Sequence, residues 1–502
     1  MFIRKKKNAS GKTCVQVIDK SSGKYKVAYT VGSSNDPDEI SSFILRAKQW
    51  IKQQSGNIEI DFSYEKEYAK KILDGAETLR QKGLDLLLGD IFDEIGFNKV
   101  GDDIFRYLVI YRLAHPKSKL KTTRYLSRYH QIEWSEDQLY RYLDKLHTTQ
   151  KEQVQQISYQ HTSEILNNDI SVVFYDVTTL YFEIDHEDEL RKTGFSKEGK
   201  HQNPHIVLGL LVSKNGYPLA YEIFEGNKFE GHTMLPVIDH FKQKYRLEQL
   251  VIVADSGLLS NSNINELQQK GYEFILGARI KNESKPIKEK ILALNLDNGQ
   301  SAVIKKDDLK LIITYSDKRA KKDRKNREKG LRRLEKQLKS GKLTKSNINK
   351  RGYNKYLKLD GEIRVAIDRE KFKLDAKWDG LKGYITNARL NKNQIIENYQ
   401  HLWQIEKSFR VAKSDLKIRP IYHRLKKRIE AHICISFVAY KVYKELERQL
   451  HEKKAEISAE TAIEIAKTIF ELTIKTPTSE SQISKLLLLT DEQTQLAELF
   501  DF

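Results

Sequence analysis

The sequence predicts an α/β core preceded by a small sheet and a helical region and followed by C-terminal helices. Three observations carry this prediction. The first 34 residues contain β-type runs, apolar residues then recur three and four apart to about residue 165, and strand and helix patterns alternate after Ser171. A chain of 502 residues is long enough for several domains.

The N-terminal part divides into two predicted segments. Residues 1–34 contain "FIRKK", "KTCVQVID" and "KYKVAYTVG" between turn signals, which predicts a small β element. Residues 35–168 form a predicted helical DNA-binding domain, in which "KLKTTRYLSRYHQIEWSEDQLYRYLDKL" indicates helix, turn, helix. A DNA-binding helix-turn-helix would offer Gln138, Arg141 and Tyr142 to a groove. An ordinary helical hairpin has the same pattern, so both interpretations stay open.

The predicted core begins at residue 169. "SVVFYDVTTLYFEI" indicates a buried strand, and "HIVLGLLVSKNGYPLAYEIFEG" a hairpin that turns at Asn215-Gly216. Helical and strand patterns then alternate through "YEFILGAR". The order β-β-β-α-β-α-β matches a ribonuclease-H-like α/β core, of which residues 169–280 are the first part.

The charge of the chain favours a polyanionic partner. The sequence has 88 Lys and Arg against 69 Asp and Glu, a net charge of +19. Nucleic acid is the usual partner of so basic a protein. No membrane partner is expected, because no run approaches the roughly 18 apolar residues of a spanning helix. Cys14 and Cys434 are the only cysteines, too few for a thiolate zinc site.

Two aspartates occupy unusual places in this core. Asp176 interrupts an otherwise apolar strand, where an ionised acid costs several kcal/mol unless a cation, hydrogen-bond donors or a metal compensate it. Asp255 follows the apolar strand "QLVIVA", and acids at the carboxyl ends of such strands commonly face the ligand crevice. Because many aspartates at strand ends only form turns, Asp255 alone is weak evidence.

A third acid comes from "NKNQIIENYQHLWQIEKSFRVAKSDLKIRPIYH". On a continuous helix, Glu406, Arg410 and Lys413 fall within about 40° of Tyr399. Glu406 would then lie in the apolar and aromatic stripe rather than on the solvated face. The simpler alternative is a salt-bridged rim in which Glu406 pairs with Arg410 or Lys413.

Together these residues resemble a DDE transposase of bacterial insertion sequences, of the hairpin-forming, insertion sequence four-like family. Its glutamate helix has the signature Y-(2)-R-(3)-E-(6)-K, and Tyr399, Leu402, Glu406 and Lys413 occupy the four places here. Leucine replaces the arginine, which Arg410 could supply. The blocks "YDVTTLYFE", "GFSKEGKHQNPHIVLGLLV" and "IVADSGLLS" are also similar, so the resemblance extends over residues 171–443.

The resemblance implies a transposase that cleaves and transfers DNA strands by a cut-and-paste, hairpin mechanism. Asp176, Asp255 and Glu406 would be the catalytic and metal-binding acids, holding two divalent cations, Mg²⁺ or Mn²⁺. Tyr399, Arg410 and Lys413 would hold DNA phosphates. The expected partners are double-stranded DNA, both terminal inverted repeats and target, and a second copy of the chain in the DNA complex. The expected location is the bacterial cytoplasm, on DNA.

The long stretch between Asp255 and Glu406 indicates how the rest of the chain is divided. Residues 281–388 form a predicted β-containing insertion between Asp255 and Glu406, with the strand-like runs "SAVIKK", "LKLIITYS", "GEIRVAID" and "GYITNA". Residues 389–445 return to the core with the glutamate helix. In the insertion, Trp378 is a candidate to stack on a flipped base, as a tryptophan does in the insertion of related transposases, although a core tryptophan is the simpler and favoured alternative. Residues 317–351 contain 16 Lys or Arg against four acids, which predicts a basic helix that tracks phosphates. Residues 446–502 are predicted to be helical.

Other functional classes use parts of the same pattern. A metal-dependent nuclease or resolvase needs the same three acids without strand transfer. A noncatalytic DNA-binding protein needs only the basic surface. A glycosidase with paired acids would leave the positive charge unexplained.

Overall fold

The computed structural model describes residues 1–54, 63–184, 186–196, 199–349, 352–360, 364–476 and 481–502. Lys350 and Arg351 of the predicted basic segment, the first three residues of the predicted strand "GEIRVAID", and Lys197 and Glu198 of one family block lie outside these ranges. Within the described chain, none of the helices combines the length and apolarity needed to cross a membrane.

The strands are β1 (Phe2–Lys7), β2 (Thr13–Asp19), β3 (Lys26–Ser34), β4 (Ala76–Gln81), β5 (Val172–Tyr181), β6 (His205–Ser213), β7 (Pro218–Glu225), β8 (Val251–Ala254), β9 (Glu273–Ala278), β10 (Ser301–Lys306), β11 (Leu309–Tyr315), β12 (Leu357–Asp360), β13 (Arg364–Ile367), β14 (Leu381–Thr386), β15 (Phe470–Lys475) and β16 (Gln482–Leu487).

The α-helices are α1 (Pro37–Gln54), α2 (Ser63–Asp74), α3 (Asp90–Ile95), α4 (Asp103–Ala114), α5 (Lys119–His130), α6 (Glu136–Lys145), α7 (Lys151–Ile165), α8 (Met234–Tyr245), α9 (Asn261–Gln269), α10 (Lys285–Leu292), α11 (Asp317–Lys339), α12 (Arg369–Ala376), α13 (Lys392–Gln400), α14 (Trp403–Arg410), α15 (Lys426–Glu452), α16 (Ala459–Ala466) and α17 (Asp491–Phe500).

The chain divides into two compact units. The first consists of Met1–Asp90, Ser118–Glu136 and Gln449–Phe502, and the second of Ile91–Lys117 and Asp137–Arg448. The first unit contains the sheet β1-β2-β3, against which α1 packs, and a second sheet of order β16-β15-β4. The C-terminal residues therefore share a unit with the N-terminal ones.

Two C-terminal segments predicted to be helical are strands. In β15 the apolar residues Phe470, Leu472 and Ile474 alternate with polar residues. This period of two is typical of a strand. β15 pairs with both β4 and β16, so backbone hydrogen bonds from distant residues decide its conformation. The short apolar runs fit either periodicity, and pairing with β4 is invisible in the local sequence.

The second unit is built on an eight-stranded sheet of order β10-β11-β14-β9-β8-β5-β6-β7. β5, β6 and β7 are antiparallel neighbours, and β8 and β9 run parallel to β5. The five strands from β7 to β9 thus have the β-β-β-α-β-α-β order expected of a ribonuclease-H-like core. Three strands of residues 281–388 continue the same sheet beyond β9.

The central sheet separates two layers of helices. Val173, Tyr175 and Val177 of β5 face an apolar core that includes Ile238 of α8 and Leu267 of α9. Helices α13 and α14 pack against β8, β9, β5 and β6, and Phe409 of α14 lies near residues of β6 on the opposite face. Strand alternation therefore directs Asp176 toward the layer of α13 and α14.

The basic helix forms where the charge run predicted it. Over α11, Leu334 is buried in a small apolar cluster with Tyr356, Leu357 and Val365, whereas Leu338 is exposed. The helix is therefore packed along one edge, and most of its cations face solvent.

Candidate active site

Asp176 and Asp255 occupy adjacent positions on neighbouring parallel strands. In the β5–β8 pair, Tyr175 is opposite Ala254; Asp176 is the next residue of β5, and Asp255 directly follows β8. Neighbouring strands run about 4.8 Å apart, so the backbones of the two aspartates are neighbours. The two acids, far apart in sequence, therefore meet at the carboxyl end of β8.

The local environments of the two carboxylates differ. Oδ1 of Asp176 accepts a hydrogen bond from the N–H of Val177 at 2.7 Å, and the side chain is partly exposed. Oδ1 of Asp255 accepts from the N–H groups of Gly257 at 2.8 Å and Leu258 at 3.3 Å. Asp255 thus forms the turn after β8, as strand-end aspartates often do, and it lies beside Asp176 as well.

Tyr399 lies over the sheet next to these acids. Its ring packs against Tyr384 of β14 with centroids 4.5 Å apart, and only 6% of the residue is exposed. Its hydroxyl fills the space above Gly277 of β9, where any Cβ would collide with it. A glycine at position 277 is therefore required for the Tyr399 hydroxyl to lie against β9 beside Ser256.

The electrostatic environment links Tyr399 to two of the predicted acids. Burial, and then the negative charges of Asp255 and Glu406, raise the pKa of the Tyr399 hydroxyl above its ordinary value. The hydroxyl therefore stays protonated at neutral pH. The charges of both carboxylates thus act on the same hydroxyl.

The glutamate helix is not continuous, contrary to the prediction. The chain turns at His401 and Leu402, where N–H groups bond to carbonyls three residues back, and Val411–Asp415 form a π-helical turn. Tighter and wider turns shift the angular positions away from 100° per residue. As a result Glu406 is exposed rather than within the buried stripe, and Trp403 is 53% exposed.

The other motif positions are distributed over this broken helix. Leu402 is buried, so it packs where the signature has an arginine. Arg410 is exposed at the end of α14. Lys413 lies in the π-helical turn, with Nζ 5.9 Å from the ring centroid of Phe409.

The three predicted acids do not form a direct three-ligand cluster within the described residues. In the part of the chain that the structure describes, no three His, Cys, Asp or Glu side chains are grouped closely enough to hold a metal ion. What the structure places together is the adjacent pair Asp176 and Asp255, with Glu406 on a helix that packs against the same strands.

A basic cleft of about 540 Å³ is lined in part by Ser256, the residue after Asp255. Its lining contains six cationic side chains, from Arg279, Lys281, Arg319, Arg327, Lys355 and Lys382, and the carboxylates of Asp323, Asp375 and Asp379. Lys281 and Lys355 pair with Asp375 at 2.6 and 2.8 Å. The cations outnumber the acids, so the cleft is suited to an anion.

Trp378 has features of both predicted interpretations. The indole is half-buried and packs against the apolar cluster of Ile280, Ile313 and Leu381. It also lines the basic cleft. The core interpretation and the base-stacking interpretation are thus compatible with the same position.

The predicted groove-reading residues of α6 differ in exposure. Gln138 and Arg141 are exposed. Tyr142 is buried and donates its hydroxyl hydrogen bond to Oε1 of Gln150 at 2.8 Å, so its predicted contact with DNA is wrong. Leu139 and Leu143 are also buried, so Tyr142 belongs to the apolar face of α6.

Two residues beside the acids were missed in the sequence. Lys382 and Tyr384 of β14 lie on one face of the sheet, against Tyr399. The local sequence does contain one signal for them. In "LKGY", Lys382 and Tyr384 are two residues apart, so a strand places the lysine and the aromatic ring on the same face. The pairing of β14 with β9 that brings them here has no local signature.

Comparison with known proteins gives a family. The family model described as "Transposase DDE domain" matches residues 167–441, more than half of the chain. This range includes Asp176, Asp255, Glu406 and Lys413. No curated protein sequence matches the chain.

Several solved structures are similar at low identity. A piggyBac transposase synaptic complex with hairpin DNA has 11% identity and a TM-score of 0.38, covering 76% of this chain and 76% of that chain. The Mos1 mariner paired-end complex with Mn has 10% identity and a TM-score of 0.15, covering 32% and 54%. The Mos1 transposase paired-end complex with left transposon end has 10% identity and a TM-score of 0.16, covering 46% and 66%.

Proposed function

The chain belongs to the transposase DDE domain family, and we propose that it cuts element ends from DNA and joins them to a target by a cut-and-paste reaction. The observation that carries this proposal is the adjacency of Asp176 and Asp255 at the carboxyl end of β8. Glu406 is the third acid, on a helix that packs against β5 and β6.

Within the family, we place the chain in the hairpin-forming, insertion sequence four-like branch. Tyr399, Glu406 and Lys413 have the spacing of its signature, and Leu402 departs from it. In this branch the freed 3′-hydroxyl attacks the opposite strand to form a hairpin, which is reopened before joining. Arg410 is the proposed substitute for the missing arginine.

The proposed cofactor is a pair of divalent cations, Mg²⁺ or Mn²⁺, held by Asp176, Asp255 and Glu406. The donor set fits, because carboxylate oxygens are the ligands that these hard cations prefer and two of the three acids are adjacent. When bound, such cations activate an attacking oxygen and stabilise the leaving oxygen of an in-line phosphoryl displacement.

The protein's own residues would position the DNA. Lys413 and Arg410 would hold backbone phosphates near the cleaved bond, where charge-assisted hydrogen bonds fix the strand. Tyr399 would help to position the acids, since its ring is buried and its hydroxyl is held over Gly277 beside Ser256. Trp378 would stack on an unpaired base at the cleft.

Binding of the element ends would use other surfaces. Gln138 and Arg141 are exposed on α6 and would contact DNA as a recognition helix does. The cations of α11 would follow the phosphate backbone. We further propose a homodimer in the DNA complex, one protomer for each terminal inverted repeat, in the bacterial cytoplasm.

The test is cleavage and joining by purified protein. We expect the full chain, with Mg²⁺ and a labelled duplex carrying the inverted repeats that flank its gene, to produce cut ends and joined products. Asp176→Asn, Asp255→Asn and Glu406→Gln should each abolish cleavage and leave end binding largely intact. Asp169→Asn, in the loop before β5, is the matched control and should cleave as the wild type does.

The outcomes separate the functional classes. Cut ends without joined product would indicate a nuclease or resolvase instead. Cleavage by one of the three acid variants would remove that residue from the site. Binding without any cleavage by the wild-type chain would favour the noncatalytic DNA-binding class.

A further inference from the structure

Lys382 lies in the middle of the extended sheet, between a wall of aromatic rings and the basic cleft. It belongs to β14, which pairs with β11 on one side and β9 on the other. Leu381 turns into the apolar cluster, so the strand alternation directs Lys382 and Tyr384 to the face that carries Tyr399.

The ammonium group is held on two aromatic faces. Its Nζ lies 4.5 Å from the ring centroid of Tyr399 and 5.4 Å from that of Tyr384. Cation–π contacts of this length attract the ammonium and restrict its movement. Lys382 is therefore a fixed positive charge, and it lines the cleft together with Ser256.

A second cation faces the same space. Arg319, in the first turn of α11, also lines the cleft, and its Nε lies 3.5 Å from a carboxylate oxygen of Asp323. Burial lowers the pKa of Lys382, the positive charge of Arg319 lowers it further, and Glu406 opposes the change. The two cations thus repel each other, and an anion between them would relieve the repulsion.

We propose that Lys382 and Arg319 together bind one backbone phosphate of the DNA strand that passes the acids. The proposal rests on the proposed function and adds a phosphate-binding pair to it. Four features point to a phosphate: two cations from separate elements, a cleft in which cations outnumber acids, the fixed ammonium, and the position next to Ser256. The guanidinium would supply directed hydrogen bonds and the ammonium a point charge.

The test is the salt dependence of DNA binding by the full chain. Fluorescence anisotropy of a labelled random-sequence duplex is measured over about 50 to 200 mM KCl, where the slope of log K against log salt is about 0.9 per neutralised phosphate. Lys382→Met keeps the aliphatic packing on the rings, Lys382→Arg keeps the charge, and Arg319→Met removes the partner. Lys305→Met, an exposed lysine on the edge strand of the same sheet, is the matched control.

A shared phosphate predicts a specific pattern. Lys382→Met and Arg319→Met should each weaken binding about tenfold at the lowest salt, as loss of a charge-assisted contact does. The double variant should reduce the slope by about 0.9, the value of one phosphate. Lys382→Arg and the control should keep the wild-type slope.

Two results would contradict the proposal that Lys382 and Arg319 share one phosphate. An unchanged slope in the double variant would mean that no phosphate is bound there, and a reduction of about twice the single-phosphate value would mean two separate contacts. Should Lys382→Met fail to fold, Arg319→Met is the remaining test, because its side chain is on the helix surface. Binding as tight as that of the wild type at the lowest salt would then overturn the proposed pair. Since this readout needs no cleavage, a wild-type chain that binds but does not cut would contradict the proposed function and leave the phosphate test intact.

Discussion

Gly277 allows the sharpest test of the site's geometry. A methyl group at this position would overlap the Tyr399 hydroxyl oxygen and come within 3.0 Å of the N–H nitrogen of Ser256. Gly277→Ala should therefore push Tyr399 away from the sheet. Overpacking of this kind costs about 1–3 kcal/mol in the free energy of unfolding.

The loss of stability in Gly277→Ala should depend mainly on the hydroxyl oxygen of Tyr399. In Tyr399→Phe the nearest ring atom to the added methyl is Cζ, at 3.2 Å, a contact that a shift of a few tenths of an ångström relieves. Gly277→Ala should consequently be much less destabilising in the Tyr399→Phe background. We expect a coupling energy of about 1 kcal/mol or more between the two substitutions.

Urea unfolding of the wild type, the two single variants and the double variant measures this coupling. Cleavage assays test whether the displacement of Tyr399 also affects the reaction. Gly209→Ala is the matched control, because its methyl would meet the Tyr175 hydroxyl on the opposite face of the sheet. It should be destabilising yet leave the cleavage rate of the folded protein unchanged, whereas Gly277→Ala should lower that rate. Free energies that add to within about 0.5 kcal/mol would refute the placement of Tyr399.

Two further predictions concern charge. Lys413→Ala should slow cleavage of bound ends through lost phosphate positioning, measured as a single-turnover rate on saturated DNA; an unchanged rate would exclude that role. Asp144 of α6 accepts hydrogen bonds from Arg428 at 2.9 and 3.1 Å, and these, with Lys427, lower its pKa to about 2. Its stabilisation should be complete above the ordinary pKa of 3.8 and lost as the pH falls through about 2. The melting temperatures of wild type and Asp144→Asn should thus differ at pH 6 and converge near pH 2; a constant difference would show that the ion pair is not its source.

The strands that carry the two aspartates could be predicted because their signals are local. A β-branched run around Asp176 and an apolar run before Asp255 specify strands whatever their partners are, and they occur as β5 and β8. The hairpin turn at Gly216, with φ of 82°, is likewise encoded in two residues. The adjacency of the aspartates then follows from the parallel pairing of the strands.

The remaining parts of the site depend on distant contacts. The angular position predicted for Glu406 assumed an unbroken helix. The turn at His401 changes the angle between Tyr399 and Glu406, and the π-helical turn after Arg410 changes the angle of Lys413. The face presented by Lys382 depends on pairing between Gly383 and Ala278, more than 100 residues apart. Neither the hydrogen-bond pattern of a helix break nor a long-range register is specified by local periodicity.

The continuation of the sheet through β14, β11 and β10 bears on how this protein can be shortened or recombined. The segment between Asp255 and Glu406 could be taken for an insertion that can be deleted. However, β14 supplies the backbone partner of β9, and its Tyr384 ring packs against Tyr399. Excision would leave β9 as a bare edge, open to pairing with other chains. Chimeras among relatives should therefore exchange α11 and the antiparallel pair β12 and β13, and keep β10, β11 and β14 with their own core.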